Sequence, residues 1–257
     1  ENIKELCEAR YLATDIVHRL PAKKKIIPTP EPNERVVFIP HFLHGLGFPL
    51  HPFVRGLMFY YGLDFHDLAP NSFVNLSVFI VVCEAFLCVP PHFGLWLKLF
   101  NVKPKVVEGQ HVECGSAMVG KLPNVTWPKG TCVETVKGWQ QGWFYIMEHR
   151  DATWAAAPEF KSGTPMRLTS WLNKGLDWES PDKVTTLESC VKGMVNKNTS
   201  LASVIQVMLF RRILPCQRQT QHMWEFDPAG PRPLQQFFGT THEDIWKLLF
   251  NTQKSSL

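Results

Sequence analysis

From Phe73 to Pro90 the chain is apolar almost without relief, and that stretch decides what the rest must do. Phe73, Leu76, Ile80, Cys83 and Leu87 recur at helical spacing, but most positions between them are apolar too, so little polar face is left for water. A helix of that kind has to be enclosed by protein or by lipid. Asn75, Ser77 and Glu84 interrupt it, and it falls short of the ~20 clean residues a bilayer requires. It therefore reads as a core helix, capped at Asn71 or Ser72 and stopped by Pro90 and Pro91, with no membrane partner expected.

A buried helix needs a shell, and the composition supplies one. The 257 residues are 45% hydrophobic and 12% aromatic, with nine Trp, a content that disordered chains rarely carry. No flexible linker divides them, so one compact unit with two sub-regions is expected. Residues 1–104 form an N-terminal helical lobe around the buried helix, and residues 105–257 a C-terminal lobe in which a small β region precedes further helices. The fold class is mainly α, of α+β type, with a small sheet or hairpin in the middle of the chain.

Local patterns place the elements. Ile3, Leu6, Cys7, Ala13, Ile16, Val17 and Leu20 share a helical face that Pro21 ends, predicting an opening helix over Ile3–Leu20. Lys23–Lys25 and then Pro28, Pro30 and Pro32 read as an extended surface connector. A short strand is expected over Val36–Ile39, and a helix from Pro52 through Phe53, Leu57, Met58 and Tyr61 to a stop at Gly62. Val106–Val107, the turn Pro128–Gly130 and Trp143–Met147 carry the β signal. Thr185-x-x-Glu188 is a capping box ahead of Leu187, Cys190, Val191, Met194 and Val195. Thr199 or Ser200 can cap Leu201, Val204, Ile205, Met208 and Leu209, with Arg211 and Arg212 near a C-terminus closed by Pro215. A last helix is expected over Glu243–Phe250.

Charge and cysteine usage narrow the setting. A formal charge of +4 from 27 basic and 23 acidic residues permits nucleic acid as a partner without demanding it. Seven cysteines, odd in number and without a C-x-x-C pair, read as mostly buried reduced thiols and favour nucleus or cytoplasm. Asn75, Asn124 and Asn198 head N-x-[ST] triplets, a motif common by chance, and no signal peptide is recognised. The chain opens on Glu1 rather than Met, so further flanking domains are expected.

Gly115–Leu122 has the glycine and lysine spacing of a phosphate-binding loop, but Leu122 replaces the magnesium-binding hydroxyl and Pro123 follows at once. Cys83, Cys88, His92, His111 and Cys114 are of zinc-ligand type without zinc-site spacing. His41, His44 and His51 have no carboxylate close in sequence. Asp64 with Asp67, Glu148 with Asp151, and Glu225 with Asp227 are paired carboxylates of the kind a metal-dependent nuclease converges on a cation, although Asp64 and Asp67 suit a turn or cap equally well. No nucleophile elbow is present. For nucleic acid the best cluster is Arg211, Arg212, Arg218 and Arg232, interleaved with Phe210, His222 and Trp224, since guanidinium groups grip phosphates and aromatics stack on bases. Arginines at a helix end beside core-filling aromatics are the structural alternative.

The spelling Gly45-Leu46-Gly47-Phe48-Pro49-Leu50-His51-Pro52-Phe53-Val54-Arg55-Gly56, with Leu68-Ala69-Pro70-Asn71-Ser72 and Cys83-Glu84-Ala85-Phe86-Leu87, resembles a plant family of gypsy-type transposon domains. Trp143-Phe144-Tyr145, Arg211–Arg218 and Met223-Trp224-Glu225 extend the resemblance from about Val36 to Trp224. Cys88 and Cys216 stand where the family more often carries glycine and leucine. The resemblance implies a protein encoded in, or derived from, a long-terminal-repeat element, and it transfers no catalytic residue. The chain lacks the D-[ST]-G, Y-x-D-D and C-x-x-C-x-x-x-x-H motifs of such an element's enzymes. The expectation is a non-enzymatic association domain that binds itself or another protein, without cofactor or metal. DNA or RNA binding through the arginines is the alternative, and a divalent-metal nuclease or transposase stands behind both.

Overall fold

A computed structural model describes residues 2–13, 16–23, 25, 27–48, 50–108, 110–111, 114–130, 137–147, 181–218 and 223–224. In chain order its helices are α1 (Asn2–Glu8), α2 (Ile39–Leu43), α3 (Pro52–Tyr61), α4 (Pro70–Val81), α5 (Phe93–Leu99), α6 (Pro181–Asn196), α7 (Leu201–Met208) and α8 (Leu214–Gln217). Its strands are β1 (His18–Arg19), β2 (Glu34–Phe38), β3 (Phe100–Pro104), β4 (Val106–Val107), β5 (Gln110–His111), β6 (Ala117–Lys121) and β7 (Trp143–Met147). The architecture is α+β. No described helix is long and apolar enough to cross a membrane. The helix expected over Glu243–Phe250 lies outside the described residues.

α4 is the buried axis that the apolar run predicts, with Pro70 rather than Asn71 or Ser72 opening it. Its polar interruptions are docking points. Asn75 Nδ2 donates to the Val119 carbonyl at 3.0 Å, and Ser72 Oγ accepts from Val119 N at 3.3 Å, which anchors β6. Ser77 Oγ donates to the Gly45 carbonyl at 3.2 Å. Around this axis Phe53, Phe79, Trp96, Phe100 and Trp127 form an aromatic cluster, in which Trp96 and Phe100 stack 4.6 Å apart. α7 packs on α4, and α6 packs on α5.

The β structure is not confined to the middle of the chain. β7 is the central strand of a three-stranded sheet whose neighbours, β1 and β2, come from the first 38 residues. β2 pairs antiparallel with it from Glu34 opposite Met147 to Phe38 opposite Trp143. Val37, Phe144 and Ile146 face the main core, while Val36, Phe38, Trp143 and Tyr145 form a second aromatic cluster with Trp139. A strand buried on both faces reads as the unbroken run Trp143-Phe144-Tyr145-Ile146 rather than as an alternation. β3 pairs with β6 across the 104/105 position, and the core runs from Leu6 to Trp224.

Two expected helices change. The opening helix stops at Glu8 because Arg10 takes a left-handed φ of 61° and Leu12 then bridges to Phe48, which leaves His18–Arg19 free to join the sheet. α6 begins at Pro181, so Thr185 sits inside it, where its carbonyl accepts from Ser189 Oγ rather than the side chain capping. Val184, Leu187 and Val191 line its buried side, and Cys190 faces solvent. α3 with Gly62 at φ 66° and α7 with Ser200 as cap form as expected.

Gly45 and Cys88 sit in left-handed backbone with opposite consequences. Gly45 has φ 104°, and a Cβ there would lie 2.2 Å from Ser77 Oγ. Cys88, at φ 55° and exposed, holds with a side chain the conformation that glycine adopts without strain. Gly45→Ala should lower the unfolding free energy by roughly 2–4 kcal/mol, and Cys88→Gly should raise it by about 1 kcal/mol. Urea unfolding of both variants against the parent measures the two shifts.

Candidate functional site

The arginine segment was the strongest sequence candidate, and the structure divides it. After α7 the chain makes a π turn over Leu209–Ile213 and continues as α8, so Pro215 opens α8 instead of closing a helix. A second π turn, Val82–Phe86, follows α4. Each wider turn shifts the face that later side chains occupy. The two turns set Arg212 against Glu84, and Arg212 Nη2 donates to Glu84 Oε2. Arg212 is 2% exposed and Glu84 5%.

His51 completes the group. Its Nε2 lies 3.1 Å from Glu84 Oε1, while its Nδ1 accepts from Phe53 N at 2.9 Å. A nitrogen that accepts a backbone N–H carries no proton, so Nε2 bears the hydrogen, donates to Glu84, and the ring is neutral. Trp224 closes the constellation, its ring edge-on to His51 at 5.6 Å and 6.0 Å from the Arg212 guanidinium. Burial pulls the Arg212 pKa below its usual range while Glu84 opposes that and Arg211 adds to it.

Arg212 and Trp224, named in the sequence as nucleic-acid contacts, are buried here, and a phosphate reaching Arg212 would have to displace Glu84 from a desolvated pair. Arg211 is half-buried beside them. Arg218 is exposed at the end of α8, and Arg232 lies outside the described residues. Sequence reading missed the pairing of His51 with Glu84, which lie 33 residues apart. The available signal was Glu84 itself, because a carboxylate inside an apolar helix needs a partner somewhere.

The other candidate groups resolve into structural roles. Gly115–Leu122 enters strand β6, with no helix after Lys121 to face phosphates. His92 Nδ1 caps α5 by accepting from Leu95 N. Cys83 is buried, Cys88 exposed, and no three metal-type residues converge among the described residues. Asp64 and Asp67 form a capping box around the 3₁₀ turn Phe65–Asp67, with Asp64 N donating to Asp67 Oδ2 at 2.7 Å. Ser116 Oγ donates to Asp67 Oδ1 at 2.9 Å, and His66 stands beside both carboxylates. Burial pushes the Asp64 carboxyl up. Glu148, Asp151, Glu225 and Asp227 lie outside the described residues. His41 is fully buried between Phe38, Phe73 and Trp139, at 4.7 to 5.3 Å between ring centres, and burial drives its pKa down to about 3.

Residues 36–104 match the model of a family described as "Putative gypsy type transposon". No curated protein and no solved structure matches the chain. The matched segment runs from β2 to the end of β3 and contains His51 and Glu84, whereas Arg212 lies beyond it.

Removing one member of the buried pair leaves an uncompensated charge. Arg212→Met should cost about 3–5 kcal/mol, and Glu84→Gln combined with Arg212→Met should recover part of it; denaturant unfolding of the single and double variants reads the coupling. His41 adds an acid sensitivity. The folded protein holds it neutral down to about pH 3 while the unfolded chain protonates it near its ordinary value. Its contribution is therefore complete above ~pH 6.5 and is lost progressively as the pH falls towards 3. In His41→Phe the stability between pH 6.5 and 4 should fall less steeply than in the parent, measured as unfolding midpoint against pH.

Proposed function

We propose, for a chain whose residues 36–104 belong to a gypsy-type transposon family, that it works as a non-enzymatic association module, and that its first partner is a second copy of itself. The observation that carries this is the edge of the three-stranded sheet. β1 pairs with β7 on one side only among the described residues, and its residues His18 and Arg19 are exposed. Val17 and Leu20, on either side of it, are 44% and 64% exposed, and Ile27 on the following connector is 74% exposed. Apolar side chains flanking an open strand edge are the ingredients of strand addition, in which the backbone supplies affinity and the side chains supply area.

The burial of Arg212 and Trp224 in the core supports the same view, because it removes two of the groups that would have gripped phosphate and base. The carboxylates that a metal nuclease would converge are, at Asp64 and Asp67, engaged in capping a turn.

Light scattering after size exclusion should show a concentration-dependent dimer or higher oligomer in the absence of nucleic acid. Leu20→Asp combined with Val17→Asp should shift it to monomer without lowering the unfolding free energy by more than about 0.5 kcal/mol, as expected for exposed positions. A monomer at all concentrations, converted to a larger species only by mixed-sequence nucleic acid at low salt, would replace the association reading with nucleic-acid binding.

A further inference from the structure

The Ser/Thr-Pro dipeptides of the chain are Thr29-Pro30, Thr164-Pro165 and Ser180-Pro181, and the first falls within the described residues. Thr29 lies on the proline-rich connector between β1 and β2, which forms no helix or strand among its described residues, and Thr29 is exposed. Its Oγ1 accepts from Lys25 Nζ, a bond that uses an oxygen lone pair and leaves the hydroxyl's own proton out of it. Its backbone N donates to Tyr145 Oη at 2.8 Å. The residue is thus fixed on the sheet through its backbone while its hydroxyl faces solvent.

Other hydroxyls of the described residues are taken up by the fold. Thr186 Oγ1 and Ser189 Oγ return to the carbonyls of Asp182 and Thr185 within α6, and Ser200 caps α7. Ser72 and Ser77 are buried along α4. A helical or buried hydroxyl is poorly placed for a kinase cleft, which takes its substrate as an extended segment. Pro30 suits that cleft, because it biases Thr29 towards extended backbone and offers no N–H of its own.

We propose that Thr29 is a phosphorylation site for a proline-directed protein kinase, with ATP as the phosphate donor. Thr29 Oγ1 attacks the γ-phosphorus, and the new O–P bond forms as the bond from that phosphorus to the β–γ bridging oxygen breaks. The hydroxyl proton passes to the catalytic carboxylate of the kinase, and ADP leaves. The product carries a charge of about −1.5 to −2 at pH 7, and the Lys25 ammonium that meets Oγ1 is placed to meet the phosphate oxygens. The carboxylates nearest in sequence are Glu31, which is exposed, and Glu34, which Arg19 Nε already holds at 2.6 Å. Ile27, on the same connector, joins Val17 and Leu20 beside β1 as an exposed apolar side chain of the self-association surface. A phosphate set beside them must be desolvated or expelled when a second copy docks, so phosphorylation weakens self-association. The acceptor site does not depend on that surface, whereas its effect rests on the association reading.

The folded parent chain, incubated with a mitogen-activated protein kinase, magnesium and ATP, should carry phosphate on Thr29 when mapped by peptide mass spectrometry. Thr29→Val keeps the shape of the side chain and the backbone bond to Tyr145, and it should lose that phosphate while keeping any on Thr164 or Ser180. Pro30→Ala should slow the modification of Thr29 severalfold. Light scattering after size exclusion should then show the phosphorylated parent dissociating at concentrations where the unmodified parent and kinase-treated Thr29→Val stay associated. The acceptor assignment is overturned if the folded chain takes no phosphate on Thr29, including the case in which only the denatured chain accepts it. It is also overturned if Pro30→Ala is modified at the parent's rate. A phosphorylated parent that stays associated overturns the effect on assembly. A parent that is monomeric before treatment sinks the association reading instead, and the peptide map alone then decides the site.

Discussion

A polar side chain inside an apolar helix has to find its partner elsewhere in the chain, and this fold is largely the set of solutions to that requirement along α4 and the π turn that follows it. Ser72 and Asn75 take the backbone of β6, Ser77 takes the carbonyl of Gly45, and Glu84 takes Arg212 and His51. Each bond contributes only about 1 kcal/mol net, but each would cost more if left unmade, so the five together specify where distant segments must sit. Apolar packing supplies the driving force and is indifferent to register. The polar residues choose among the packings.

The Glu84–Arg212 pair shows how that choice is made and what it costs. Two desolvated charges gain little over a well-packed apolar pair, so the arrangement adds specificity more than stability. Both ends of the pair sit in π turns, one after α4 and one after α7, so two helices depart from regular geometry at the point where they are linked. Regular helices would carry these side chains on different faces. The neutral His51, fixed by Phe53 N on one nitrogen and Glu84 on the other, ties the entry of α3 into the same point. Trp224 then excludes water from it.

Local chemistry was legible in the sequence, and pairing at a distance was not. Pro52 and Gly62 bracket α3, Ser200 caps α7, and the β-branched and aromatic runs mark β2 and β7, because each of these signals acts within a few residues. A cavity of about 420 Å3 beside the sheet was not legible at all, since its lining comes from Pro28, Phe38, Asp64 and Trp143 and no periodicity joins them. The apolar face of residues 3–20 misled because the same spacing serves a short helix followed by a segment buried against Phe48. Arg211 and Arg212 were read as helix-end cations, whereas a π turn carries the helix past them and rotates Arg212 inward. Cys88 occupies left-handed backbone, which no local sequence signal announced.

The sheet divides the molecule's work between its two faces. Its central strand is buried on both sides, so Phe144 and Ile146 serve the main core while Tyr145 takes a hydrogen bond from a proline-rich connector that forms no helix or strand among its described residues. Proline restricts that connector before folding, and Tyr145, Glu34 and Arg19 then hold it in one position, with the Arg19 guanidinium 3.9 Å from the centre of the Tyr145 ring. A segment pinned at intervals but not packed along its whole length leaves space beneath it, and here that space is bounded by aromatic rings and a carboxylate. The polar groups that fix the fold lie along α4 and the π turn after it, whereas the exposed apolar side chains Val17, Leu20 and Ile27 lie beside β1 and on the connector.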